Sequence, residues 1–165
     1  DIHLCPDLKT KALQSKGQQA KILGPGVDQV RYLFGSTDPF SGEGLYELYD
    51  CKASPQFCFH LEHLMDTFPE HFIFVVTDNA PAHRSGITSN FLTEHQNHLE
   101  VVFLPTYSPH LNAIERLWRV LRGKITRSKS FTSFDDKCQA VMTWFQLLPF
   151  DRFIDILGVA CNVTT

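Results

Sequence analysis

Three acids in this chain stand where acids could hold a cation. Asp78 closes an apolar run, Phe72-Ile73-Phe74-Val75-Val76-Thr77, and Asn79 and Pro81 break the chain just beyond it. Five apolar residues in a row, without alternation, read as a strand buried on both faces, the pattern of a parallel sheet. In open α/β sheets, ligands sit in the crevice past the carboxyl ends of the strands. Glu115 falls within a helical pattern, with Arg119, Arg122 and Thr126 following at i+4, i+7 and i+11. Asp1 opens an alternating stretch, Asp1-Ile2-His3-Leu4-Cys5, that reads as a short strand. Two or three hard oxygen ligands converging on one point can hold Mg²⁺ or Mn²⁺. Two such ions, roughly 3.5–4 Å apart, stabilise both the attacking and the leaving oxygen of an in-line phosphoryl transfer. Two of the acids also have a plainer use: Asp78 can cap its own turn, and Glu115 can pair with Arg119 on one helix face.

The elements that must position these acids follow from periodicity. Residues 30–36 and 45–49 read as two strands around a turn-rich segment, hence an antiparallel hairpin. Ser54-Pro55 supplies an N-cap with proline at the first helical position. Phe57, Leu61, Leu64, Met65 and Phe68 then form one apolar helix face, ended by Pro69. His60 and His63 lie three apart on that helix, but a third metal ligand is missing nearby, so surface histidines are expected. Ser85 caps a helix over about 86–95, and residues 99–104 form a second buried strand halted by Pro105. Ser108-Pro109 opens a longer helix over about 109–127, with Leu111, Ile114, Trp118, Leu121 and Ile125 as its buried stripe. Ser133 begins a final helical region with a capping-box-like start that runs toward Gly158. Residues 7–29 read as loop, with a Lys16-Gly17 turn and a short strand near Ala20–Leu23. The order is strand, hairpin, helix, strand, helix, strand, helix, helix, which makes a mixed sheet covered on both faces.

Composition bounds the rest. The chain has 165 residues, enough for a single domain with a real core. A net charge of −3 argues against a protein that coats nucleic acid indiscriminately, yet leaves room for a local basic face. That face has a candidate: from Arg116 to Lys129 there are six basic residues and no acidic one, the kind of flank that suits a phosphate backbone held beside a metal. Five cysteines without a Cys-x-x-Cys pair fit neither a disulfide framework nor a zinc site, which points to reduced thiols and a cytoplasmic protein. No stretch reads as a membrane span or a signal peptide, so no membrane partner is expected.

Three blocks in order now carry a resemblance: Asp78-Asn79-Ala80-Pro81-Ala82-His83, then Phe103-Leu104-Pro105-Thr106-Tyr107-Ser108-Pro109, then Leu111-Asn112-Ala113-Ile114-Glu115-Arg116-Leu117-Trp118. Together they resemble the catalytic domain of mariner-like DDE transposases, in their bacterial insertion-sequence branch. Thirty-six residues separate Asp78 from Glu115, within that family's range. The resemblance covers nearly the whole chain, so residues 1–165 are expected to be one DDE catalytic domain.

The resemblance implies a ribonuclease-H-like fold, α/β, with a mixed five-stranded sheet flanked by helices. Asp1, Asp78 and Glu115 match the three acids residue by residue, as catalytic groups and ligands for two Mg²⁺ or Mn²⁺ ions. The implied activity is metal-dependent cleavage at transposon ends followed by strand transfer into target DNA, carried out by a homodimer at the bacterial nucleoid. His83 and Arg84, with Asn79, match positions beside the site that orient an acid or touch a phosphate; Arg119, Arg122 and Lys124 are the expected DNA contacts on the helix flank. The family carries an N-terminal helix-turn-helix region that this chain does not contain, and the absence of Met at Asp1 fits a longer parent. Metal binding weaker than the parent's is expected, because an α-ammonium at Asp1 would compete with the ion and the first strand lacks its lead-in. Ile2, Leu13 and Ala113 depart from the family pattern, where an acid, a Trp and a Pro are usual; none of them is an expected ligand. Two other readings stay open: a ribonuclease-H-like nuclease or resolvase that only hydrolyses, and a repurposed binding domain without catalysis.

Overall fold

A computed structural model describes residues 1–5, 29–106, 108–126 and 131–158. The Lys16-Gly17 turn, the strand near Ala20–Leu23, Leu13, Arg127 and Lys129 lie outside the described residues. Five strands and five helices follow in chain order: β1 (Ile2–Leu4), β2 (Arg31–Thr37), β3 (Gly44–Tyr49), α1 (Ser54–Thr67), β4 (Ile73–Thr77), α2 (Gly86–Glu94), β5 (Leu99–Phe103), α3 (Ile114–Leu121), α4 (Phe134–Gln146) and α5 (Phe150–Leu157).

The expected hairpin forms, with β2 and β3 antiparallel in the register Leu33↔Leu48 and Gly35↔Tyr46. Its turn is built locally: the Asp38 carboxylate accepts from the Phe40 N–H at 2.9 Å, and Gly42 adopts φ 78°, a conformation glycine enters without steric cost. β1 pairs antiparallel with β2, Ile2 opposite Leu33, while β4 and β5 pair in parallel. The single five-stranded sheet expected from the sequence is instead a three-stranded sheet, β1-β2-β3, and a separate two-stranded one, β4-β5. β1 pairs with β2 from Ile2 opposite Leu33 to Leu4 opposite Arg31, and no strand pairing joins β2 to β4 among the described residues.

Side chains alternate across the three-stranded sheet and define two cores. Ile2, Leu4 and Leu33 pack with Trp118, Leu121 and Ile125 of the α3 region and with Phe134 and Val141 of α4. Phe34 points the other way, to Phe57 and Leu61 of α1 and to Leu99 of β5. A third cluster joins Leu117 of α3 to Phe153 and Leu157 of α5. Each of these large side chains contributes about 1.5–3 kcal/mol by leaving water.

Several sequence expectations change. The apolar run of β4 is not buried on both faces: Ile73 and Val75 pack toward α1, but Phe74 is 64% exposed and Phe72, Val76 and Val102 also reach solvent. Helices α4 and α5 pack on the three-stranded sheet and on α3. The helix expected over 109–127 begins only at Ile114, after a separate 3₁₀ turn (Pro109–Leu111), and loosens into a π turn (Arg122–Thr126). Leu111 therefore falls off the buried stripe and is exposed, while Leu117 is fully buried against α5. At α1 the N-cap is Ala53, without a side-chain cap, and Ser54 is already helical. Elsewhere local signals hold: the Ser85 hydroxyl accepts from the Thr88 N–H, and Ser133 with Asp136 forms a full capping box.

Candidate active site

β4 delivers Asp78 to the end of its strand, and the following 3₁₀ turn (Pro81–Arg84) folds back beneath it. One Asp78 carboxylate oxygen accepts from the Ala80 N–H at 3.0 Å and lies 2.9 Å from His83 Nδ1. The turn-capping role is therefore real, yet the Asp78 side chain remains 64% exposed, with its second oxygen available to an incoming ligand. His83 is buried against the Phe57 ring at 4.1 Å, and burial lowers its pKa below the usual imidazole range despite the opposing pull of Asp78. Neutral at pH 7, its Nδ1–H faces the Asp78 side-chain and backbone oxygens. His83, expected to orient an acid or touch a phosphate, is buried with its Nδ1 beside the Asp78 oxygens.

Asn79 and Arg84 tie this turn to the end of β5. The Asn79 amide donates to the Leu104 carbonyl, and its oxygen accepts from Arg84 Nε at 2.6 Å. The Arg84 guanidinium lies 4.2 Å over the Phe103 ring, a cation–π contact that fixes a positive charge beside the acid while leaving it open to solvent.

Asp1 is placed by β1. Its side chain is only 8% exposed and its carboxylate holds the Lys52 ammonium at 2.9 Å. Lys52 had no signal in the sequence; it follows β3 as an isolated lysine. The α-amino group of Asp1 is pushed below its ordinary pKa by burial first and Lys52 next, with Glu115 and Asp78 opposing and Arg122 adding to the lowering. Asp78 and Glu115 thus both act electrostatically on the amino end of Asp1. Glu115 sits in the first turn of α3, where unpaired N–H groups favour an acid.

The basic flank divides in two. Arg119 and Lys124 are exposed and Arg122 is half-buried on the side of Asp1. Arg116 leaves the group: its guanidinium donates to the Leu157 carbonyl at 2.5 Å and closes the end of α5. No ion pair joins Glu115 to Arg119 among the described residues, so the i, i+4 pairing does not account for either charge.

The donor set was tested for a divalent ion. Three carboxylates are hard ligands of the kind Mg²⁺ and Mn²⁺ take, and the most buried of them already holds a cation, the Lys52 ammonium. Among the described residues, however, no three His, Cys, Asp or Glu side chains are drawn close enough to grip an ion as they stand. The residues fit the group in chemistry, and their final approach is left to be made.

A more fully connected polar cluster lies elsewhere. The Glu47 carboxylate takes His60 Nδ1 at 2.6 Å, His63 Nδ1 at 2.5 Å and the Tyr49 hydroxyl at 3.0 Å, while the far nitrogen of His60 meets the Ser36 hydroxyl at 2.9 Å. His60 was expected on the surface and is 2% exposed; its ring is buried because β2 and β3 supply partners for both nitrogens. His63 remains on the surface, as expected.

Comparison with known proteins agrees with this geometry. The pattern of the family described as DDE superfamily endonuclease matches residues 3–137. An uncharacterized 39 kDa protein of insertion element IS630 from Shigella sonnei is 33% identical over 134 residues, covering 81% of this chain. The chain spans 38% of that relative's length. Among solved structures, the Mos1 mariner paired-end complex with Mn is similar at a TM-score of 0.70 and 18% identity, over 95% of this chain and 49% of that one. The catalytic domain of Mos1 mariner transposase is similar at 0.63 and 19% identity, over 79% of this chain and 68% of that one. These structural likenesses carry the fold, which is that of the Mos1 catalytic domain. With acids at the ends of β1 and β4 and at the start of α3, and a family pattern running through most of the chain, the protein belongs to the DDE superfamily of endonucleases.

Proposed function

We propose that this chain is the catalytic domain of a DNA transposase that cuts DNA at the ends of a mobile element and joins them to target DNA. Residues 1–165 form one domain in this reading, carried in a longer protein with a helix-turn-helix region that recognises the ends and acting as a homodimer where bacterial DNA lies. Among the described residues no helix is long and apolar enough to cross a membrane. The observation that supports the reading is that Asp78, Glu115 and Arg122 all act electrostatically on the buried amino end of Asp1.

Asp1, Asp78 and Glu115 would hold two Mg²⁺ or Mn²⁺ ions; similar Mos1 structures are complexes with Mn and with Mg. Bound there, the ions would acidify the attacking hydroxyl and stabilise charge on the leaving oxygen. The chain's own residues do the positioning. His83 and the Ala80 N–H fix one Asp78 oxygen so that the other faces outward. Lys52 pairs with the buried Asp1 carboxylate at 2.9 Å and would yield its place to an ion of higher charge. Arg84, held by Asn79 and Phe103, presents a cation to the phosphate next to the scissile bond, and Arg119, Arg122 and Lys124 hold the backbone further along.

A strand-transfer assay on a pre-cut element end, run with Mn²⁺ in the longer protein, tests this directly. Joined product that disappears in Asp78→Ala is expected. Hydrolysis without joining would favour a nuclease or resolvase, and unchanged activity in Asp78→Ala would remove the metal site.

A further inference from the structure

Helix α3 is eight residues long and is weakly held at both of its own ends. Its N-cap is Ala113, whose methyl group cannot accept from a backbone N–H, and past Leu121 the helix passes into the π turn of Arg122–Thr126. A helix this short has little stability of its own, so its rotation is set by what packs against it. Trp118 and Leu121 fix one side against Ile2 and Leu4 of β1 and Leu33 of β2. The other side meets α5 through two successive residues. Leu117 is buried with Phe153 and Leu157. Arg116, otherwise exposed, donates from its guanidinium to the Leu157 carbonyl at 2.5 Å.

That bond is fitted from both sides. α5 has no basic residue in its last turn, and the partial negative charge at its carboxyl end is met by the Arg116 guanidinium instead. The chain leaves α5 at Gly158 with φ 64°, and the Gly158 N–H returns to the Ile154 carbonyl at 2.9 Å. A Cβ at position 158 would collide with the Arg116 guanidinium, so glycine serves both the left-handed turn and the seat of the arginine.

From this clamp we infer that Arg116 is a positioning residue for Glu115: by docking the first turn of α3 on the end of α5, it sets where the Glu115 carboxylate stands. The two residues are adjacent and diverge by about 100° around the helix axis, so the arginine holds α5 without occupying the acid. Side chains reach about 5–6 Å from a helix axis, and a turn of about 20° therefore shifts their ends by about 2 Å. Metal–ligand distances tolerate only about 0.2 Å. Glu115 as a metal ligand rests on the proposed function; the docking of α3 on α5 is independent of it.

Titration calorimetry of Mn²⁺ into the full chain and its variants is the first test. Arg116→Met should weaken binding by roughly tenfold, the low end for groups that orient a metal ligand. Gly158→Ala should weaken it as well, and Arg116→Lys, which keeps a charge and a donor, should keep most of the affinity. The sign is diagnostic. A guanidinium acting only as a nearby positive charge repels the ion, so its removal would tighten binding; tighter or unchanged binding in Arg116→Met overturns the inference. In a Glu115→Gln background, Arg116→Met should cost nothing further, because both act through one ligand. An equal loss in both backgrounds marks a general loss of structure and also overturns it. Amide hydrogen exchange at residues 115–119 without divalent ions reads the clamp itself. Faster exchange in Arg116→Met than in Arg116→Lys is expected, and equal exchange means that no clamp exists. If Glu115→Gln binds Mn²⁺ as its parent does, the metal reading falls, and exchange alone decides whether α5 holds α3. Should Arg116→Met not fold, Gly158→Ala set against Arg116→Lys decides on the same criteria.

Discussion

Two carboxylates illustrate how the same group is used for opposite ends. Glu47 is saturated: two histidines and a tyrosine approach its two oxygens, and although burial would raise its pKa, those hydrogen bonds hold it down at about 2. Asp78 is held on one oxygen by a turn N–H and by His83, with most of its side chain in solvent. Glu47 locks β3 to α1 and has nothing left to offer a ligand. Asp78 is aimed but not consumed. A carboxylate's availability is thus decided by how many donors the fold brings to it, not by its burial or by the number of acids in the sequence.

The contrast can be broken at either end. Asp78→Ala should lower metal-dependent cleavage by roughly a thousandfold, the order lost when one group stabilising developing charge is removed, while the thermal midpoint stays within a few degrees of the parent. Glu47→Gln should do the reverse. Loss of charge-assisted hydrogen bonds costs about 1.5–3 kcal/mol, readable by urea denaturation, with cleavage per folded molecule unchanged. A Glu47→Gln protein as stable as its parent would mean the cluster is not a fastener.

Acid titration sharpens the same point. Glu47 has a depressed pKa in the folded chain, so its contribution is fully present above the ordinary carboxylate value of 4.5 and is lost as pH falls toward about 2. His63 works in the opposite sense: hydrogen bonding and charge from Glu47 raise its pKa, so its smaller contribution is present below 6.5 and fades as pH rises through the raised value. Denaturation midpoints measured from pH 2 to pH 8 should show the acid-side loss shrink in Glu47→Gln. The smallest effect expected is at the flank: Arg119→Ala with Arg122→Ala should make the slope of log affinity against log salt shallower by about two, and an unchanged slope would place DNA elsewhere.

What was readable in advance follows the range of the interactions. The hairpin, the Ser85 cap, the Ser133 capping box and the parallel pairing of β4 with β5 depend on backbone chemistry within a few residues or on one crossover, and periodicity exposes them. His60 was misread because its partner lies far off, Glu47 on β3 turning a surface histidine into a buried one, and the end of α5 likewise claims Arg116 from the basic run. Phe74 and Val76 were expected to be covered because an apolar run records hydrophobicity, whereas coverage depends on which helices arrive.

By itself, the sequence determined the order of elements, the acid at the end of an apolar strand and, with 36 residues between, the second acid at the head of a basic-flanked helix. These are properties of spacing, and spacing survives without coordinates. Only the tertiary structure decided that Asp1 is buried against Lys52, that His83 is buried beside Asp78, and that the strands stand as two sheets. Each of those depends on pairing between residues tens of positions apart, where a shift of one strand by a few ångströms changes which charges meet.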